Sequence, residues 1–223
     1  MEWIRRGVAQ ARTSHRSHVF IMVTRYLLGF AFLPAGLKKV LGQPFTDPEK
    51  HGAFHDFLHA FHDTGFFYHA VGAMQMLAAG LLLTQRFALL GTLLLTPILT
   101  AIFVFCWSTG VIPTATVVTL MMGALGILIC WDIERWIGLV KAESWVPKQR
   151  SNEMAGTLNQ RPWEIGGWAI ALLFLGNTVI TGEVYRPRGA EWHNPSFWVL
   201  IAIAAVPFVA HRWEKRERRK GEP

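Results

Sequence analysis

Six long stretches of this 223-residue chain are almost free of charge, and nothing else in the sequence constrains its fold as strongly. They cover residues 19–41, 67–84, 87–107, 113–130, 163–181 and 197–210. A helix needs about 20 apolar residues, with a range of about 17–25, to cross the hydrocarbon core of a bilayer. Five of the runs meet that requirement. The sixth, 197–210, does so only if Ser196, His211 and Trp213 complete it at the interface. A bilayer offers no water to backbone amides and carbonyls, so such runs must be helices that bond internally. The expected fold class is an all-α membrane protein with six spans.

The charges orient those spans. Lys and Arg gather at Arg5, Arg6, Arg12 and Arg16, at Arg86, at Arg135, Lys141, Lys148, Arg150 and Arg161, and along residues 212–220. The alternate segments are poor in them: 42–66 holds only Lys50, 108–112 holds none, and 182–195 holds Arg186 and Arg188. This is the positive-inside pattern, with both termini cytoplasmic. The formal net charge of +7 is thereby accounted for at a membrane surface, and no nucleic-acid partner is expected. Trp107, Trp131, Trp136, Trp145, Trp163, Trp192, Trp198 and Trp213 cluster near span ends, as an interfacial aromatic belt does. The first run is long enough to span and lacks a small-residue cleavage site, so it is expected to be a span rather than a leader. Cys106 and Cys130 fall at opposite ends of their spans, about 25 Å apart along the helix axis. That is too far for a disulfide, so both read as packed small apolar residues.

The links between runs set the connectivity. Gln85-Arg86 joins the second to the third, and residues 108–112 join the third to the fourth. Links that short force antiparallel neighbours, so the first four spans are expected to form an antiparallel four-helix bundle. A polar linker follows over 132–161, with an interfacial piece at 133–140, then two further transmembrane helices and a basic tail. The division expected is a four-helix core over 1–140, and a linker, two added spans and tail over 141–223. The first outer segment reads as a short helix over 48–63. Asp47 caps its start, Pro48 holds the first turn, and Thr64-Gly65 ends it. Phe54, Phe57, Leu58 and Phe61 then share one apolar face, which lies on the membrane or on the mouth of the bundle.

Several polar residues could carry chemistry. His51, His55, His59 and His62 fall within an arc of roughly 80° on the outer helix; imidazoles four residues apart can share a metal ion, but histidines also tolerate the interface with no ligand, and no metal is expected. Lys38 and Lys39 lie beside them at the outer end of the first span. They either snorkel to the headgroups or face the bundle and meet an anionic or quinone-type ligand. Arg25, about 20 Å nearer the cytoplasm, is expected to pair with Asp132 or Glu134. Gln75 lies well inside the second span among small residues, where it either bridges helices or orients a ligand. Pro97, between Thr96 and Thr100, frees a backbone carbonyl in the third span and can open space in the core.

These residues also carry a resemblance. Arg25-Tyr-Leu-Leu-Gly29, Pro34-Ala-Gly-Leu-Lys-Lys39 and Gly42-Gln-Pro-Phe45 resemble the first-span signature of the DoxX-like membrane proteins. Thr64-Gly-Phe-Phe67, Gly72 with Gln75 and Leu81-Leu-Leu83, Arg86 with Leu90-Gly91, and Cys130-Trp-Asp132 continue it in order, over about residues 19–137. The resemblance implies a four-helix core in the bacterial inner membrane. It also implies a role like that of DoxD-type subunits associated with thiosulfate:quinone oxidoreductase, or of members linked to thiol or oxidant handling. The chain would then be an accessory or membrane-anchor subunit, at most one subunit of an oxidoreductase. Its ligand would be a quinone held near Lys38, Lys39, Gln75, Pro97 and Thr100, and its partners lipid, a redox subunit or a second copy of itself. No dithiol motif accompanies the resemblance, so disulfide exchange is not implied. The same residues also suit a small-solute or anion permease, or a ligand-free membrane scaffold.

The orientation has a direct test. Single cysteines introduced at Asp56 and Arg188 should react with an impermeant thiol reagent in intact cells, whereas cysteines at Lys148 and Arg218 should react only after lysis. Labelling of Lys148 from outside would overturn the topology.

Overall fold

The computed structural model describes residues 2–140, 159–185 and 189–221. Most of the expected linker, including Trp145, Lys148 and Arg150, lies outside the described residues, as do Arg186 and Arg188. The described chain is helical from end to end: α1 (Glu2–Arg12), α2 (His15–Val40), α3 (Ala53–Asp63), α4 (Phe66–Leu83), α5 (Ala88–Ser108), α6 (Ile112–Trp131), α7 (Ile133–Val140), α8 (Arg161–Thr181) and α9 (Pro195–Gly221). Six of these, α2, α4, α5, α6, α8 and α9, are long and apolar enough to cross a membrane.

Each apolar run became one helix, with ends moved by a few residues. The exception is the sixth: α9 takes in Ser196, His211 and Trp213 and continues past the apolar stretch through the basic tail to Gly221. Two expectations are corrected. The outer helix starts at Ala53, not at residue 48. Gly52 takes φ +112°, and Asp47 instead closes a turn by accepting from the Glu49 amide at 3.2 Å. Cys130 is exposed rather than packed, while Cys106 is buried. A third feature had no sequence expectation: residues 2–12 form α1, which lies against α2 and α6.

The packing is that of a protein that meets lipid. Only 22% of the most apolar window of α6 is buried inside the protein, and 17% for α9. Leu120, Phe208 and Val179 are 70%, 73% and 83% exposed. The interior holds Leu82, Leu95, Leu99, Leu125 and Leu128, but also Arg25, Gln75, Thr92 and Asp132. In water that arrangement would leave an apolar surface far larger than a soluble monomer tolerates; in a bilayer it is the expected one.

Contacts run from α2 to α4, α4 to α5, α5 to α6, and α6 back to α2. The α2–α4 crossing depends on small residues: Gly36 lies against the Gly72 carbonyl, where an added Cβ would meet oxygen at 2.9 Å. Glycine allows helix backbones to approach that closely, which is the main source of affinity between helices in lipid. α8 is no loose appendage. It packs on α4, α2 and α9, Trp163 is fully buried, and the Tyr26 hydroxyl donates to the Trp163 carbonyl. At Gly167 a Cβ would run into the Leu83 carbonyl, so α8 docks with its backbone directly on the end of α4.

That crossing predicts an asymmetry within one helix. Gly167→Ala should destabilise the detergent-solubilised protein by about 1–3 kcal/mol, the usual cost of overpacking. Gly176→Ala, on the same helix with nothing within 4 Å of its Cβ position, should be neutral or stabilising. Thermal unfolding of the two variants measures the difference; equal behaviour would contradict the close approach.

Candidate functional site

At one end of the spans a polar cluster is sealed inside apolar helices. Arg25 on α2 is 6% exposed and Asp132, just after α6, is 3% exposed. A guanidinium Nη2 meets Asp132 Oδ2 at 3.2 Å, and Nη1 donates to Gln85 Oε1 at 3.4 Å. The second Asp132 oxygen is held by Arg135 at 3.1 Å, one turn into α7. Gln85 completes the cluster by donating to the Met22 carbonyl at 3.4 Å, from a backbone with φ +59°. Beside it the Arg12 guanidinium donates to the Trp131 carbonyl and lies 5.5 Å from that indole's centroid. His18 donates to the Arg12 carbonyl at 2.7 Å and sets its edge on Trp131.

Of the two carboxylates expected for Arg25, the structure uses Asp132; exposed Glu134 is not part of the pair. Gln85 was not anticipated, because a two-residue link reads as a turn. The geometry explains its value: a buried cation with two acceptors from different parts of the chain ties α2 to the α4–α5 turn and to the end of α6. A buried ion pair is costly to break rather than strongly stabilising to form.

The opposite end is a hydrogen-bonded cap. The segment after α2 turns at Gly42, φ +67°, and exposes carbonyls that helix formation cannot satisfy. Side chains of α3 and α4 meet them: His69 donates to Val40 O at 3.1 Å, His62 to Gly42 O at 3.1 Å, and the Tyr68 hydroxyl to Gln43 O at 2.7 Å. His55 and Thr46 share a 2.5 Å bond, His59 donates to Lys50 O at 3.2 Å, and His51 lies 3.6 Å from Asp56. The four imidazoles have separate partners among the described residues. The phenylalanine face does cover the bundle end: Phe54 and Phe57 lie 5.3 and 4.5 Å from the Phe105 ring, and Phe61 lies 5.0 Å from Tyr68.

The two lysines separate. Lys38 is half-buried and reaches the Pro44 carbonyl at 3.4 Å. Lys39 is buried, donates to Ala35 O at 3.1 Å and lies over the rings of Phe45 at 4.3 Å and Tyr68 at 5.9 Å. Its ammonium is thus bounded by aromatic faces, a setting that suits a cation.

Gln75 is 1% exposed at the α2–α4 crossing, and its Oε1 has no hydrogen-bond partner among the described residues. Pro97 and Thr100 face outward on α5. The hydroxyls of Thr96 and Thr100 bond the carbonyls of Thr92 and Thr96, at 2.7 and 2.8 Å. Pro97 lines an apolar groove of about 590 Å³ with Leu81, Leu90, Leu93, Leu94 and Trp136. The structure does not gather Lys38, Gln75 and Thr100 there. Trp136, which sequence reading passed over as a lining residue, has a buried indole Nε1 with no hydrogen-bond partner among the described residues. Sequence reading also passed over His15, His211 and Glu214, which come together where α2 begins and α9 leaves its apolar stretch.

Comparison with known proteins finds no family, no curated protein and no solved structure that matches this chain.

The ion pair makes a quantitative prediction. Arg25→Ala should cost about 3–5 kcal/mol by leaving Asp132 buried without that partner. A double-mutant cycle with Asp132→Ala should return a coupling of about 0.5–3 kcal/mol, whereas a cycle with Glu134→Ala should return none. Coupling to Glu134 instead would show that the cluster is wired differently.

Proposed function

We propose that this chain is a DoxX-like protein of the bacterial inner membrane that serves as an accessory or anchor subunit of a quinone-linked redox system. Its lipophilic ligand lies along the groove at Pro97. In this reading α2, α4, α5 and α6 alternate in direction as a four-helix core, with both termini cytoplasmic, as the alternation of basic segments requires.

One observation carries the ligand assignment: an apolar groove lined by leucines, Thr96, Pro97 and Trp136, the last with a buried indole Nε1 that has no hydrogen-bond partner among the described residues. A leucine-lined trough suits an isoprenoid or acyl tail, and one N–H suits a carbonyl oxygen at the head of that tail. A quinone has both parts. The donor is also unsatisfied without a ligand, a condition that costs free energy in an apolar setting and is relieved by an acceptor. The ordered sequence resemblance over about residues 19–137 supports the redox association.

Small molecules retained by the full-length protein after mild solubilisation test this directly. Organic extraction and mass spectrometry should recover a quinone. Trp136→Phe should reduce its occupancy by about two- to tenfold, the loss of one hydrogen bond. Leu93→Trp, which fills the groove, should remove it. Recovery of bulk phospholipid alone, or equal quinone in all three proteins, would overturn the proposal.

A further inference from the structure

We propose that His15, His211 and Glu214 form a binding site for a divalent transition-metal ion of the zinc type, where the basic tail leaves the apolar part of α9. His211 and Glu214 stand three residues apart and so share one face of α9, while His15 opens α2. Contact between α2 and α9 brings the three together. Glu214 Oε2 is 3.4 Å from His15 Nε2 and 3.9 Å from His211 Nδ1, and the three ligand atoms all lie within 4.8 Å of one another. The imidazole centroids are 5.9 Å apart, tilted by 33°, so the rings flank the carboxylate rather than stack across it.

Zinc bonds of about 2.0–2.2 Å to nitrogen and oxygen place tetrahedral donors about 3.3 Å apart. The longest edge here exceeds that by at most about 1.5 Å, a closure that side-chain rotation can supply. Two imidazoles and one carboxylate are a donor set common to zinc and other late first-row metals.

Burial points the same way. Glu214 is 1% exposed, yet neither of its oxygens has a hydrogen-bond partner among the described residues, and His211 Nδ1 is likewise buried without one. A carboxylate removed from water with no hydrogen bond is expensive, and buried charges ordinarily coordinate a metal or meet a bonded cation. The two imidazole nitrogens, at 3.4 and 3.9 Å, are the basic groups within 4 Å of it among the described residues, and their spacing is one that donors around a shared ion could take. The Trp163 ring, fully buried 6.4 Å from His211, walls the site on the α8 side. The His15 and His211 side chains are 28% and 41% exposed, which leaves an entry path and room for water as a fourth ligand. An ion here would fasten the start of α2 to α9.

The test uses the full-length protein in mild detergent, stripped with a chelator and titrated with Zn²⁺ by calorimetry, with Co²⁺ as a spectroscopic probe. One ion per chain should bind. Glu214→Gln and His211→Ala should each weaken binding by at least about tenfold, and the visible absorption of tetrahedral Co²⁺ should be lost. His15→Ala lies at a helix start and is the variant least able to disturb the fold. If Glu214→Gln fails to fold by circular dichroism, His15→Ala decides alone. No saturable zinc binding, or the same affinity and stoichiometry in the folded variants as in the parent, would overturn the site.

Discussion

The constraint on which this structure depends is the lack of water in hydrocarbon. A polar group placed there must find its partner inside the protein, and an apolar side chain gains nothing by turning inward. The molecule follows that rule at its buried charges, while Gln75 Oε1 and Trp136 Nε1 are buried without a hydrogen-bond partner among the described residues. Leucine, isoleucine, valine and phenylalanine point outward along α5, α6, α8 and α9, while Arg25, Asp132, Gln85 and Lys39 are enclosed. Cohesion then falls to close backbone approach and to polar ties. Gly36 against Gly72 and Gly167 against Leu83 supply the first. The Arg25–Asp132 pair, with Gln85 and Arg135, supplies the second.

The two ends of the spans are treated differently. At one end charge is neutralised: a guanidinium and a carboxylate on separate helices meet, and the indole and imidazole of Trp131 and His18 fill the space beside them. At the other end the problem is backbone carbonyls left free by the turn after α2. Tyr68, His62 and His69 answer it. On the histidine-rich outer segment, His62 and His59 bond loop carbonyls and His55 bonds Thr46. The phenylalanine face of the same helix fixes α3 over the rings of Phe105 and Tyr68.

Much of this was legible in the sequence. Six long apolar runs became six helices, because length and hydropathy act on whole segments and tolerate local irregularity. Arg25 pairing with Asp132 followed from the cost of an isolated charge. What escaped was set by tertiary placement. Residues 2–12 carried no expectation of a helix, and the structure docks α1 on α2 and α6. The start of α3 moved because Gly52 breaks the helix that Asp47 and Pro48 signal. His15, His211 and Glu214 are separated by most of the chain. Only the i, i+3 spacing of the last two on a helical tail hinted at a common face. The Trp136 indole was read as a belt residue, and its unpartnered nitrogen in the Pro97 groove emerges only from packing.

The central claim is that the outward apolar surface meets lipid while the polar interior is sealed. Spin labels placed one at a time at Leu120, Val179, Phe208, Leu95 and Leu99 in reconstituted protein measure it through accessibility to oxygen and to a water-soluble nickel chelate. The first three should be open to oxygen and closed to nickel, with oxygen accessibility highest toward mid-bilayer. Leu95 and Leu99, fully buried, should be closed to both. Comparable accessibility of Leu120, Val179 and Phe208 to nickel would place those faces in water and contradict the account.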